Sequence, residues 1–83
     1  MGKRLFVGGL SWDTTEDGLR DLFSQSGSVE DLIIMKDRDS GRSRGFGFVT
    51  MSNDDESKTA IEQNDGKEFD GRTIHVNEAR ERN

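Results

Sequence analysis

The 83-residue chain has no cysteine, one histidine and no apolar run as long as a signal peptide or a membrane span requires. Without cysteine it can form neither disulfide bonds nor thiolate metal sites. With a single histidine no pair of nucleophile and base is visible, so we expect neither catalysis nor a metal or cofactor. The same absences predict an intracellular protein, in the nucleus or cytoplasm with an organelle left open, that does not associate with a membrane.

Apolar residues are also scarce, since 29% of the chain is hydrophobic and 35% is charged. A chain of this length forms one small domain, and burial in so small a domain stabilises it only modestly. The apolar residues recur periodically, however, so an ordered fold is still expected. We predict a single, monomeric domain over residues 1–83, with a core from about residue 3 to about residue 80.

The net charge of −5, taken over the whole chain, argues against nucleic-acid binding, because phosphate contacts depend on lysine and arginine. The distribution of the charge changes this interpretation. Segments 12–26 and 53–65 carry −3 and −4, which leaves +2 for the rest of the chain. Acidic residues therefore lie on the predicted helices, and basic residues lie near the aromatic strands.

Apolar spacing and capping residues predict two helices. A capping-box pattern at Thr14–Asp17 precedes apolar residues at helical spacing, which predicts a first helix over about 15–25. A second helix, capped by Asn53 or Asp54, is expected to end near Gln63.

Four segments have the composition and alternation of strands, at 5–10, 29–36, 44–51 and 72–77. A loop before the last strand carries Phe69, which is expected to pack over the core. The order strand, helix, strand, strand, helix, strand predicts an α+β domain. Its natural solution is one four-stranded antiparallel sheet with both helices on one face, which leaves the other face open.

Two aromatic rings, Phe46 and Phe48, alternate along the third strand and share one face with Arg44. They are either ordinary core rings or an exposed pair. If they filled the core, the opposite face would show two glycines, a valine and a methionine to solvent, so exposure is favoured. Phe6 falls on the corresponding side of the first strand. Exposed rings usually have a ligand, and rings beside a basic residue suit stacked bases and a phosphate chain.

The sequence Arg44–Met51 resembles the octapeptide of the RNA recognition motif family, K/R-G-F/Y-G/A-F-V-x-F/Y, and fits it at seven of eight positions. Leu5–Leu10 looks like the shorter six-residue motif of that family. Within the family, the sequence most resembles single-domain glycine-rich RNA-binding proteins of the plant and cold-inducible type. The resemblance implies a ferredoxin-like βαββαβ fold with the two motif strands adjacent. It also implies a partner, single-stranded RNA, and a role in post-transcriptional regulation or RNA chaperoning.

The resemblance further implies a set of RNA-binding residues. Bases would stack on Phe6, Phe46 and Phe48, and Arg44 would bind a phosphate unless it is a plain exposed arginine. The other expected contacts, among which the histidine is equally consistent with simple exposure, are Lys3, Ile33, Met35, Lys36, Arg42, His75, Asn77, Glu78, Ala79 and Arg80.

Three positions depart from the family pattern: Met51, Ser26 and Asn64 stand where the family has apolar or aromatic core residues. Losing that volume is expected to lower stability by a few kcal/mol unless neighbours compensate. Trp12 is left with two interpretations, as a contact to the ligand or as a cover for the first helix.

Two other functions stay open. Some domains of this fold bind peptides through their helices, and acidic helices would suit a basic partner, although such variants tend to lose the stacking rings. Single-stranded DNA would use the same stacking chemistry as RNA, and only contacts to the 2′-hydroxyl separate the two.

Overall fold

The structure, a computed structural model, describes residues 4–41 and 43–79, apart from the side chains of residues 43 and 44. In chain order its elements are β1 (Arg4–Gly8), α1 (Glu16–Ser24), β2 (Val29–Lys36), β3 (Ser43–Met51), α2 (Asp54–Asn64), β4 (Glu68–Phe69), β5 (Arg72–Thr73) and β6 (His75–Glu78). Neither helix in this part of the chain has the length and the apolar character needed to cross a bilayer.

The main sheet has four antiparallel strands in the order β2, β3, β1, β6. The two helices connect β1 to β2 and β3 to β6, which is the βαββαβ arrangement predicted from the sequence. The predicted α+β fold is therefore confirmed. The strands that carry the two motifs, β1 and β3, are neighbours at the centre of the sheet.

The core lies between one face of the sheet and the two helices. Alternate residues of the strands point into it, because successive side chains of a strand lie on opposite faces. Its fully buried members include Leu5, Val7, Leu19, Phe23, Val49, Met51, Ala60 and Val76. We call the opposite side of the sheet, which neither α1 nor α2 covers, the open face.

The N-terminus of α1 differs from the prediction by one residue. The side chain of Thr15, not that of Thr14, accepts a hydrogen bond from the N–H of Gly18, at 3.0 Å. The Thr14 hydroxyl is buried and donates to Asp70 Oδ2 at 2.8 Å. The predicted cap at Thr14 was thus wrong because a distant carboxylate takes its hydroxyl. At α2, Asn53 is the cap, as one of the two alternatives had it.

The segment before β6 also differs from the prediction. The expected loop contains a short hairpin in which β4 pairs with β5, and its turn at Asp70 and Gly71 has positive φ at both residues, 53° and 81°. This pair of left-handed residues is typical of a tight hairpin turn. The expected single strand over 72–77 is divided at Ile74, whose N–H donates to Lys67 O at 2.9 Å. Phe69 packs against the core, as expected.

The apolar volume that the sequence lacks at two core positions is replaced by hydrogen bonds. The buried Asn64 amide donates to Ala60 O at 2.9 Å and to Ser26 Oγ at 3.4 Å, and the Ser26 hydroxyl donates to Gln63 Oε1 at 2.7 Å. Met51, at the third position, is fully buried. Since buried polar groups are costly only when unpaired, this network compensates for part of the expected loss.

We predict that Asn64→Leu raises the free energy of unfolding by about 1 kcal/mol, because it adds apolar burial and leaves no partner stranded. Ala60 O keeps its bond from the helix backbone, and Ser26 keeps Gln63. Urea unfolding measures the effect. Asn64→Ala is the matched control, which loses the same bonds without filling the space and should lower stability. Equal stability of the two variants would contradict the prediction.

The strand β2 is one edge of the sheet, and two carboxylates cover part of that edge. Asp31 Oδ1 accepts the N–H of Leu32 at 3.0 Å, and Glu16 Oε2 accepts the N–H of Ile34 at 3.4 Å. Edge N–H groups would otherwise be free to pair with another strand.

Candidate nucleic-acid interface

Three phenylalanine rings form a cluster on the open face, and we call Phe6, Phe46 and Phe48 the ring cluster. The ring centroids of Phe6 and Phe46 are 5.7 Å apart with an interplanar angle of 30°. Phe48 meets both edge-on, at 5.8 Å from Phe6 and 6.2 Å from Phe46. Each ring is half-buried by its neighbours, so the cluster holds its own geometry and still presents ring surface to solvent.

The strand register places polar and apolar side chains on either side of the ring cluster. Phe6 pairs with Phe48 on one side and with Asn77 on the other, and Phe48 pairs with Ile33. Directly opposite residues share a face of the sheet. One row of the open face therefore runs from Asn77 through both rings to Ile33, a residue that is 45% exposed.

A second row runs parallel to the first. Gly8 pairs with Phe46 on one side and with His75 on the other. A Cβ atom at Gly8 would lie 2.9 Å from the Phe6 ring. The Phe6 ring can therefore take its observed position because residue 8 has no side chain. Glycine at this position thus keeps the surface beside the ring cluster flat.

The structure adds one cation that the sequence analysis did not assign to the site. The guanidinium carbon of Arg4 lies 4.4 Å from the centroid of the Phe48 ring, a cation–π geometry. Arg4 precedes Phe6 by two residues in β1, so the alternation of the strand was a signal that could have found it. A positive charge therefore lies against the ring cluster.

Two of the predicted RNA-binding side chains lie away from the rings. Glu78 pairs with the buried Leu5, which places its side chain on the helix-facing side of the sheet, and its contact with RNA stays a prediction. Lys36 borders a groove beside Trp12. The register between β2 and β3 shifts between Ile34 and Lys36, so the alternation of β2 does not fix the face on which Lys36 lies.

The remaining predicted RNA-binding residues lie at several places around the sheet or outside the described residues. Met35 is half-buried two residues after Ile33 in β2, and the N–H of Ala79 donates to Arg4 O at 2.8 Å. His75 is exposed, with Nδ1 at 3.8 Å from Asp65 Oδ1. Lys3, Arg42, Arg80 and the side chain of Arg44 lie outside the described residues.

Trp12 does not cover the first helix, because 66% of its surface is exposed. Of its two interpretations, the one that made it a cover was wrong. Among the residues that the structure describes, no three carboxylate or imidazole groups are placed to hold a metal ion.

Comparisons with known proteins agree with this geometry. A family model described as RNA recognition motif matches residues 5–75. Glycine-rich RNA-binding protein 8 of Arabidopsis thaliana is 56% identical over 79 residues, which cover 95% of this chain and 47% of that protein. This chain spans about half the length of the curated relatives that it matches.

Solved structures have the same fold. The crystal structure of RNA-binding protein PG1 is 41% identical to this chain, with a TM-score of 0.91 and 98% of both chains covered. The structure of the Rna15 RRM with bound RNA (GU) is 26% identical with a TM-score of 0.86, and the match covers 95% of this chain and 84% of that chain.

Proposed function

The chain belongs to the RNA recognition motif family, and we propose that its open face binds single-stranded RNA by base stacking on the ring cluster. The observation that carries this proposal is the position of the ring cluster. Three aromatic rings lie side by side on the face of the sheet that neither α1 nor α2 covers. Such surfaces stack unpaired bases, and each stack contributes about 1 to 3 kcal/mol.

The polar residues beside the ring cluster have different proposed roles in RNA binding. Asn77 and His75 flank Phe6 and Gly8, where an amide and an imidazole can reach base edges and influence the choice of base. Arg4 lies against Phe48 and would contact a phosphate, which positions the strand without reading its sequence. Ile33 ends the first row with apolar surface for a sugar or a base.

We also propose RNA contacts by Arg44, by Met35 and by the backbone of Glu78 and Ala79. Further positive charge would come from Lys3, Lys36, Arg42 and Arg80. We also propose that the domain is monomeric, that it acts by binding without catalysis, and that it serves regulation or chaperoning of RNA inside the cell.

The proposal is tested by titrating the isotope-labelled chain with short single-stranded RNA and DNA of equal sequence and recording backbone amide shifts. We expect the largest shifts at Phe6, Phe48 and Asn77, and little change at Leu22 and Ala60 behind the sheet. Shifts confined to the helices, or none with either nucleic acid, would contradict the proposal. Tighter binding of RNA than of DNA would indicate contacts to the 2′-hydroxyl.

We predict that Arg4→Gln weakens RNA binding severalfold and makes its salt dependence shallower. Loss of one phosphate contact to a single strand reduces the slope of log affinity against log salt concentration by about 0.7. Fluorescence anisotropy at several salt concentrations measures both quantities. Arg20→Gln is the matched control, because Arg20 is an exposed arginine on α1. An unchanged slope for Arg4→Gln would show that Arg4 contacts no phosphate.

A further inference from the structure

His75 and Asp65 form a pair of charged groups at one side of the open face. His75 Nδ1 lies 3.8 Å from Asp65 Oδ1, and the histidine side chain is 65% exposed. Ile74 and Val76, on either side of His75 in the chain, are fully buried in the core, so alternation places the imidazole on the open face. Among the residues that the structure describes, Asp65 is the one carboxylate within salt-bridge distance of this imidazole.

Asp65 is held in place by the backbone of β6 and α2. Its Oδ1 accepts the N–H of Val76 at 3.0 Å, and its own N–H donates to Ile61 O at 2.9 Å at the C-terminus of α2. The N–H of the next residue, Gly66, donates to Ile74 O at 2.9 Å. Because these bonds fix the carboxylate independently of the histidine, Asp65 can orient the imidazole.

A base stacked on Phe6 would bring its edge close to His75. The Phe6 ring reaches over Gly8, since a Cβ atom at Gly8 would lie 2.9 Å from that ring. Gly8 pairs directly with His75, and the Cα atoms of such pairs lie about 5 Å apart. Because Gly8 has no side chain, the Phe6 ring and the imidazole are neighbours across this position.

The other groups around His75 leave Asp65 as its main electrostatic partner. In the same row, β1 and β3 present Gly8 and Phe46, which do not ionise. The remaining charges on this side are exposed and belong to the hairpin of β4 and β5 and the residue before it. They are two positive and two negative charges, which cancel: Lys67, Glu68, Asp70 and Arg72.

We infer that Asp65 positions His75 to contact the edge of the base stacked on Phe6, and that this contact changes from acceptor to donor when His75 takes up a proton. The inference rests on the proposed stacking of RNA on the ring cluster. In the neutral imidazole the proton lies on Nδ1, which faces the carboxylate, and Nε2 accepts a hydrogen bond from the base. In the imidazolium, Nε2–H donates instead.

Two oligonucleotides that differ only in a donor test this contact. One is an oligoadenylate, and in the other purine without the 6-amino group replaces every adenine. Neutral His75 should favour adenine, whose amino group donates, whereas the imidazolium should donate to ring nitrogens that both bases have. Measured by fluorescence anisotropy, the preference for adenine should fall about threefold between about pH 8 and about pH 6.

The ratio of the two affinities removes other effects of pH. The α-amino group of a chain also titrates in this range, but it changes the binding of both oligonucleotides equally. His75 is the only histidine of the chain, so His75→Gln should make the ratio independent of pH. A ratio that stays constant in the unchanged chain, or that still changes in His75→Gln, would overturn the inference.

Asp65→Asn tests the positioning role with little change to the fold, because the amide oxygen can still accept the N–H of Val76. This variant should lose most of the pH dependence of the ratio. Glu68→Gln is the matched control, which removes an exposed acid from the neighbouring hairpin and should keep the dependence. Full pH dependence in Asp65→Asn, or an equal loss in Glu68→Gln, would show that Asp65 does not position His75.

Nuclear magnetic resonance of the imidazole nitrogens provides a readout without RNA. At about pH 8 we expect the proton of neutral His75 on Nδ1, and a main form with the proton on Nε2 would overturn the inference. The binding experiment also separates this inference from the proposed function. Binding of both oligonucleotides with a constant ratio refutes only the role of His75 and Asp65, whereas binding of neither refutes the stacking of RNA as well.

Discussion

Replacing both Phe46 and Phe48 by alanine is expected to weaken the binding of single-stranded RNA by about tenfold or more while the chain stays folded. Each lost stack removes about 1 to 3 kcal/mol of binding free energy, and 1.4 kcal/mol corresponds to about a factor of ten. Fluorescence anisotropy with a labelled oligonucleotide measures the affinity. An affinity equal to that of the unchanged chain would refute the ring cluster as the site.

The fold should survive this double substitution because β3 uses its other face for the core. Val49 and Met51 are fully buried there, whereas the two rings contact each other and Phe6, and Phe48 also contacts Arg4. Circular dichroism and urea unfolding verify the fold. Phe69→Ala is the matched control, since it removes a ring that packs against the core. It should lower stability and leave RNA affinity unchanged.

The second large effect is expected at Gly47, where alanine should lower the free energy of unfolding by about 2 to 3 kcal/mol. A Cβ atom at this position would lie 2.4 Å from the backbone carbonyl oxygen of Ile33 and 3.1 Å from Ile34 Cα. Both atoms belong to the backbone of β2, so no side chain can rotate away, and the two strands would have to separate. Urea unfolding of Gly47→Ala measures the loss.

Gly41→Ala separates this steric effect from the general cost of replacing glycine. Gly41 has φ of +73°, yet a Cβ atom there would meet nothing within 4 Å. Its substitution should cost about 1 kcal/mol, from backbone strain alone. A loss at Gly47 no greater than that at Gly41 would contradict the role assigned to the contact between β2 and β3.

Much of the open face could be predicted because alternation along a strand is a geometric rule. Gly45 and Gly47, which alternate with Phe46 and Phe48, made exposure of the rings the better interpretation, and the register then placed Phe6 beside them. The same rule, applied from Phe6 back to Arg4 or from the buried Val76 on to Glu78, would have found the extra cation and placed Glu78 on the helix-facing side. Both placements follow from a signal that was present in the sequence.

Other features depend on contacts with residues that are distant in the chain, and no local sequence pattern predicts them. Thr14 does not cap α1 because its hydroxyl donates a hydrogen bond to Asp70, 56 residues away. The network at Asn64 likewise joins the end of α2 to Ser26 across 38 residues. Trp12 could not be placed because an exposed loop tryptophan and one folded over a helix have the same sequence. In each case tertiary contacts decided.

The carboxylates along β2 have a consequence for crowded solutions. A strand from another copy of the chain could extend the sheet on that side only after displacing Asp31 and Glu16 from the outward N–H groups of Leu32 and Ile34. Adding a strand to β2 in cross-β fashion therefore costs free energy, because these edge N–H groups already have hydrogen-bond partners. Copies of the chain that are crowded together can therefore lie side by side without pairing strand to strand at this edge.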